Sequence, residues 1–161
     1  MAEIQPELLV FLFNINYEVI KQQVEGLSHE DSLLQPPFRG NCLNWVLGHI
    51  LISRDRILDT LGEERMWDED ISAPYLRESD PISPANSDCA QPLEQIMSAF
   101  ELSHKRLMAA LERITPEDLE AEKSEKTSVG KYLAFTFFHD TYHTGQTELL
   151  RQLAGKNDKV I

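Results

Sequence analysis

Apolar residues recur along this chain at helical spacing and nowhere in sustained alternation. Phe13, Tyr17, Ile20, Val24 and Leu27 stand four and three residues apart, which gathers them on one face at about 100° per residue. They predict a first helix from Pro6, a residue suited to the first helical position, to about Glu25. Leu8 to Phe13 is apolar all round, so burial on more than one side is expected there. Pro36-Pro37 and Arg39-Gly40 mark a loop. Asn41 is then a candidate N-cap, and Gly62 a C-terminal stop, for a second helix ending near Leu61. Its stripe is Leu43, Val46, Leu47, Ile50, Ile57, Leu58 and Leu61.

From residue 62 to 91 the pattern lapses. The stretch holds Pro74, Pro81, Pro84 and many acids, with Trp67, Tyr75 and Leu76 as candidate anchors. Its length lets it join two helices that run parallel. Pro92 opens a third helix with Leu93, Ile96, Met97, Phe100, Leu107, Met108, Leu111 and Ile114 on one side. Thr115-Pro116-Glu117-Asp118 predicts one short capped turn. Thr127 or Ser128 caps a fourth helix that runs to about Ala154 and stops at Gly155. No Asn-Gly or Asp-Gly hairpin is present, so strands are not expected. Four amphipathic helices of about 20 residues make an all-α four-helix bundle, with the long second connection a crossover.

Composition narrows the class more than the chemistry. A chain of 161 residues, 42% apolar, suits a single domain over 1–161. No apolar run approaches the ~18 residues of a membrane span. Met1-Ala2-Glu3-Ile4 lacks the basic start of a signal peptide. Two cysteines, Cys42 and Cys89, neither in a C-x-x-C, point to a reduced, cytoplasmic setting. A net charge of −12 argues against nucleic acid as a partner.

The candidate chemistry lies in the histidines. His139 and His143 are four apart in the fourth helix, the spacing with which one helix grips a metal ion. Two ligands rarely suffice. His49, in Trp45-Val46-Leu47-Gly48-His49-Ile50, flanks the second helix's stripe, and Gly48 beside it lets a neighbouring backbone come close. His104 is the rival third ligand, on the inner stripe of the third helix between Phe100 and Leu107. Each of these also reads as a buried histidine satisfied by hydrogen bonds. His29, beside Glu30 and Asp31, reads as solvent-exposed.

His139-Asp140-x-x-His143 resembles the H-E-x-x-H of zinc proteases. The aspartate shortens the base by one methylene, and Leu149 stands where a third ligand would be, so a protease is not expected. Asp140 either faces solvent, the reading favoured slightly, or supports a histidine from behind.

The stretches Thr127-Ser128-Val129-Gly130-Lys131-Tyr132-Leu133, His139-Asp140-Thr141-Tyr142-His143-Thr144-Gly145-Gln146 and Leu149-Leu150-Arg151 together resemble the last helix of the DinB/YfiT-like superfamily. The family pattern there is H-x-x-Y-H-x-G-Q, and Thr144 replaces a residue that is usually basic. Asn44-Trp45-Val46-Leu47-Gly48-His49-Ile50-Leu51 resembles the family's second-helix segment. The resemblance runs the whole chain in order and length. It implies an up-down-down-up bundle, often a homodimer. It also implies a divalent transition metal, nickel or zinc in many structures, held by three histidines. By position these are His49, His139 and His143. Some relatives are thiol-dependent transferases or isomerases that act with a low-molecular-weight thiol, and many have no known activity.

Three imidazoles with open positions are the arrangement of a catalytic metal. The expectation is a metal-dependent enzyme, a thiol S-transferase or a hydrolase, acting on a small molecule. The alternative is a non-catalytic binding or sensing module whose metal is structural, its sphere closed by His104 or an acid. Gln146, seven after His139, and Arg56, seven after His49, are candidate substrate or thiol contacts, although a surface salt bridge is the favoured reading for Arg56. Tyr142 is expected to pack, Gly145 to permit close helix approach, and the 62–91 segment to fold over the site as a lid.

Overall fold

The computed structural model describes residues 4–158 and residue 160. Met1-Ala2-Glu3, on which the signal-peptide expectation rests, lies outside them. The helices in chain order are α1 (Pro6–Val24), α2 (His29–Ser32), α3 (Leu43–Thr60), α4 (Glu69–Ser72), α5 (Leu93–Leu111), α6 (Pro116–Glu120) and α7 (Val129–Leu153).

Local chemistry sets most of the ends. Ser28 and Thr115 each accept from the amide three residues on while Asp31 and Asp118 return the bond, so α2 and α6 begin on capping boxes. Ser128 caps α7 by accepting from the Lys131 amide. Gly62, at φ 77°, turns the chain out of α3 in the left-handed region. The expected Asn41 cap is displaced: α3 starts at Leu43, and Cys42 holds the N-cap position without a side-chain bond.

A small antiparallel ribbon, β1 (Glu122–Ser124) with β2 (Thr127–Ser128), corrects the expectation that strands are absent. Its turn places Lys126 at φ 75°. No glycine or asparagine marks that left-handed position, so the hairpin carries no sequence signal.

Two apolar clusters fix the helix directions. At one end Leu9 and Phe13 meet Ile57, Leu58, Leu107, Leu111 and Leu133. At the other, Ile20 and Val24 meet Leu43, Leu47, Leu93, Ile96 and Leu150. The starts of α1 and α7 therefore share an end with the finishes of α3 and α5, which is the up-down-down-up arrangement. α7 packs between α1 and α3, and α5 closes the ring on the far side. The α3–α5 connection must return the length of α3, 18 residues or roughly 27 Å at ~1.5 Å per residue.

Two packing expectations change. Leu8 and Phe11 are 51% and 61% exposed, so the start of α1 buries one side only. In the crossover Leu76 is exposed; Tyr75 and Ile82 are fully buried, with Trp67 packed against the same cluster. No helix among the described residues is long and apolar enough to cross a membrane.

Candidate metal centre

α3 carries His49 and α7 carries His139 and His143 toward one another near mid-bundle. One nitrogen from each lies within 4.8 Å of the others. His49 Nε2 and His139 Nε2 are 3.2 Å apart. Two nitrogens held ~2.0–2.1 Å from one tetrahedral ion stand about 3.3 Å apart, so the pair already has the spacing of co-ligands.

Hydrogen bonds assign the tautomers. His49 Nδ1–H donates to the Tyr75 carbonyl at 2.8 Å, and His143 Nδ1–H donates to Gln146 Oε1 at 2.7 Å. Each ring is thereby oriented with its Nε2 lone pair free, the usual way a ligating imidazole is steadied. Burial lowers the pKa of His49 and pushes that of His143 down to about 4. Both rings are neutral at pH 7, as metal ligation requires.

The back of His49 is built by the crossover. Trp45 stacks on the His49 ring at 4.5 Å and donates its indole N–H to Ser79. Tyr75 lies flat against Gly48, where an added Cβ would sit 2.2 Å from its ring. Its hydroxyl donates to Asn44 Oδ1 at 3.0 Å and accepts from the Gln91 amide at 2.6 Å. The neighbour that Gly48 admits is thus an aromatic ring rather than a backbone. The ring's own residue then supplies the carbonyl that orients His49.

Asp140 does not face solvent. It is fully buried and accepts from Arg54 Nε at 3.0 Å, the arginine being fully buried as well. The Arg54 guanidinium lies 4.2 Å over the Phe100 ring. Asp140 Oδ1 is 3.9 Å from His139 Nδ1, too far for a direct hydrogen bond. Arg54 escaped the sequence reading, though a signal existed. It falls four after Ile50 and three before Ile57, on the apolar stripe itself.

His104 is not part of the group. It is buried, stacks on Tyr17 at 3.9 Å, and its Nε2–H donates to Asn14 Oδ1 at 2.9 Å. His29 is half-buried rather than exposed, and its Nδ1 accepts from the Leu93 amide at the start of α5. Among the described residues no fourth His, Cys, Asp or Glu joins the three.

A cavity of about 100 Å³ opens beside His49 and His139, walled by Ile52, Ser53, Arg56, Tyr132, Phe135 and Thr136. No residue of 62–91 lines it, so the crossover braces the back of His49 and is not a lid over the cavity. Arg56 lines the cavity and is exposed, and the salt bridge favoured for it from sequence is not formed among the described residues. Gln146 is engaged behind His143 and is not part of the cavity wall. Tyr142 packs edge-on to His143 at 5.3 Å. Nothing lies within 4 Å of where a Cβ on Gly145 would be, so that glycine serves no close approach inside the chain.

A helical bundle with three convergent histidines and one open side defines a class of candidate metal proteins. The sequence profile of the DinB superfamily matches residues 12–147, and the chain belongs to that superfamily. No curated protein matches the sequence. The crystal structure of a conserved protein from Enterococcus faecalis is similar in fold, with a TM-score of 0.74 at 14% identity over 97% of this chain and 100% of that one.

Proposed function

We propose that this protein is a metal-dependent enzyme that joins a low-molecular-weight thiol to a small anionic substrate. The observation that carries this reading is a group of three convergent histidines, two of which border a cavity, with no fourth protein ligand among the described residues. His49, His139 and His143 would hold a divalent transition ion, nickel or zinc, which imidazole ligation suits. Such an ion supplies a Lewis acid that lowers the pKa of a thiol or of water.

The chain's own residues supply the rest. Arg56 offers an uncommitted guanidinium to a carboxylate at the cavity mouth, and Tyr132 and Phe135 wall the apolar part of a substrate. Tyr75 and Gln146 keep two of the rings from turning. In the transfer the thiol gives up its proton, its sulfur forms the new bond to carbon, and the leaving group departs with the electron pair. No cysteine neighbours the histidines. Cys42 is buried at the N-cap of α3 with its pKa raised by burial, and neither it nor Cys89 joins the histidine group, so an external thiol is the fitting donor. Free cysteines and a thiol co-substrate both suit the reducing cytoplasm.

Protein purified without a nickel column should carry stoichiometric metal by mass spectrometry, and His139→Ala should lose it. Loading with cobalt and adding glutathione should give a sulfur-to-metal absorbance band. Absence of metal, or undiminished metal in His139→Ala, overturns the reading. Metal without a thiol band, with a large fall in Tm on chelation, supports instead a binding or sensing module with a structural ion.

A further inference from the structure

The histidine cavity is a groove between α3 and α7, and its chemistry changes along its length. α3 lines it with His49, Ser53 and Arg56, and α7 with His139, Phe135 and Tyr132. Spacings of three and four keep each set on one helix face. The two helices run in opposite directions, so the histidines share one end while Arg56 and Tyr132 share the other.

The end remote from the histidines suits an anion. No acid lines the groove and Arg56 is its one formal charge, in a chain that carries −12. Ser53, three residues before Arg56, brings a hydroxyl to the same wall. Hydroxyls elsewhere on the helices turn back onto the preceding turn. Thr60 bonds the Arg56 carbonyl, Ser98 the Glu94 carbonyl and Thr136 the Tyr132 carbonyl. Ser53 makes no such bond among the described residues, so its hydroxyl stays uncommitted beside the uncommitted guanidinium. A hydroxyl and a guanidinium on one helix face can hold both oxygens of a carboxylate.

The helix sets the distance from that pair to the histidines. Seven residues separate His49 from Arg56, which is roughly 10 Å along the axis at ~1.5 Å per residue. Helical side chains lean toward the same end of their helix, so the two tips keep that separation. A metal–sulfur bond of ~2.3 Å and a charged hydrogen bond of ~2.8 Å take up about half of it. About 5 Å, or roughly four bonds, is left between sulfur and carboxylate oxygen. The cavity holds about 100 Å³, well below the ~300–1,000 Å³ of an ordinary ligand pocket. Only a slender chain fits.

We propose that Ser53 and Arg56 form a carboxylate clamp, and that it selects short, unbranched acids that react at their third or fourth carbon. The chain-length rule rests on the metal reading, whereas the clamp does not.

An ω-mercapto acid carries the sulfur of the thiol and the carboxylate of the substrate in one molecule, so it measures the span directly. On cobalt-loaded protein, the sulfur-to-metal band should titrate at more than tenfold lower concentration with 4-mercaptobutyrate than with the neutral 4-mercaptobutanol. Arg56→Gln should abolish that gain and Ser53→Ala should reduce it several-fold, with Tm and cobalt uptake unchanged in both. The longer 8-mercaptooctanoate should show no gain over 8-mercaptooctanol. A gain that is absent from the wild type, or that persists in Arg56→Gln, overturns the clamp. An undiminished gain in Ser53→Ala overturns the assignment of Ser53, and equal gains at both lengths overturn the chain-length rule.

Butyrate and metal-free protein separate the clamp from the metal reading. Butyrate should shift the Arg56 side-chain Nε–H resonance to saturation, at several-fold higher concentration in Ser53→Ala. Protein that takes up no cobalt yet shows this shift overturns the metal reading and leaves the clamp standing. Absence of the shift in such protein overturns the clamp as well.

Discussion

Gly48 is the residue at which fold and site meet. A methyl group there would overlap the Tyr75 ring, and that ring is locked by its hydroxyl bonds to Asn44 and Gln91. Ordinarily glycine to alanine inside a helix gains ~1 kcal/mol. Gly48→Ala should therefore reverse the usual sign, with a loss of about 1–3 kcal/mol from overpacking in a urea melt. Metal affinity should fall with it, because a displaced Tyr75 no longer holds the His49 ring. A stabilised variant would show that the contact yields easily. The i,i+4 histidine pair and the glycine were legible from sequence alone. The ring that fills the glycine's space was not, since Tyr75 lies across an aperiodic connection.

At the scale of elements, Arg54 of α3 and Asp140 of α7 link the two helices that carry the histidines. Both side chains are fully buried, and neither guanidinium Nη nor Asp140 Oδ1 has a hydrogen-bond partner among the described residues. A buried pair of this kind is weak evidence for stability, but removal of one member strands the other charge. Asp140→Ala should cost about 3–5 kcal/mol in denaturant unfolding. Arg54→Met with Asp140→Leu should recover most of that loss. Recovery without restored metal binding would mean that the charges set the relative register of α3 and α7. The aspartate reads as solvent-facing in sequence because its spacing from His139 points off the ligand face. Which helix waits on that other side is a tertiary fact.

At the scale of the molecule, the interior charges are few and pH acts through them. Burial, followed by the nearby Arg54 charge, pushes the pKa of His104 from 6.5 down to about 4. Above pH 6.5 the ring is neutral in both folded and unfolded chains. Between 6.5 and 4 the unfolded chain takes up a proton that the fold refuses, so stability falls as pH drops, by up to about 1.4 kcal/mol per pH unit for one group. Below that window the loss levels off. Urea melts of metal-free protein across this range should show a slope to which His104 and the likewise depressed His143 both contribute, and His104→Gln should reduce it by the share of one group. An unchanged slope would place the proton elsewhere.

What the sequence by itself determined is whatever depends on near neighbours in the chain: four amphipathic helices, most of their caps, the His139–His143 pair and the acidity. Apolar spacing and capping act within a few residues, so one dimension is enough to read them. The bundle decided the rest. It chose His49 over His104 as the companion of the pair, turned Asp140 inward to Arg54, placed the crossover behind the site rather than over it, and left Leu8 and Phe11 of α1 exposed. Those outcomes depend on how rigid helices pack and on which groups burial removes from water, and both are properties of the assembled fold.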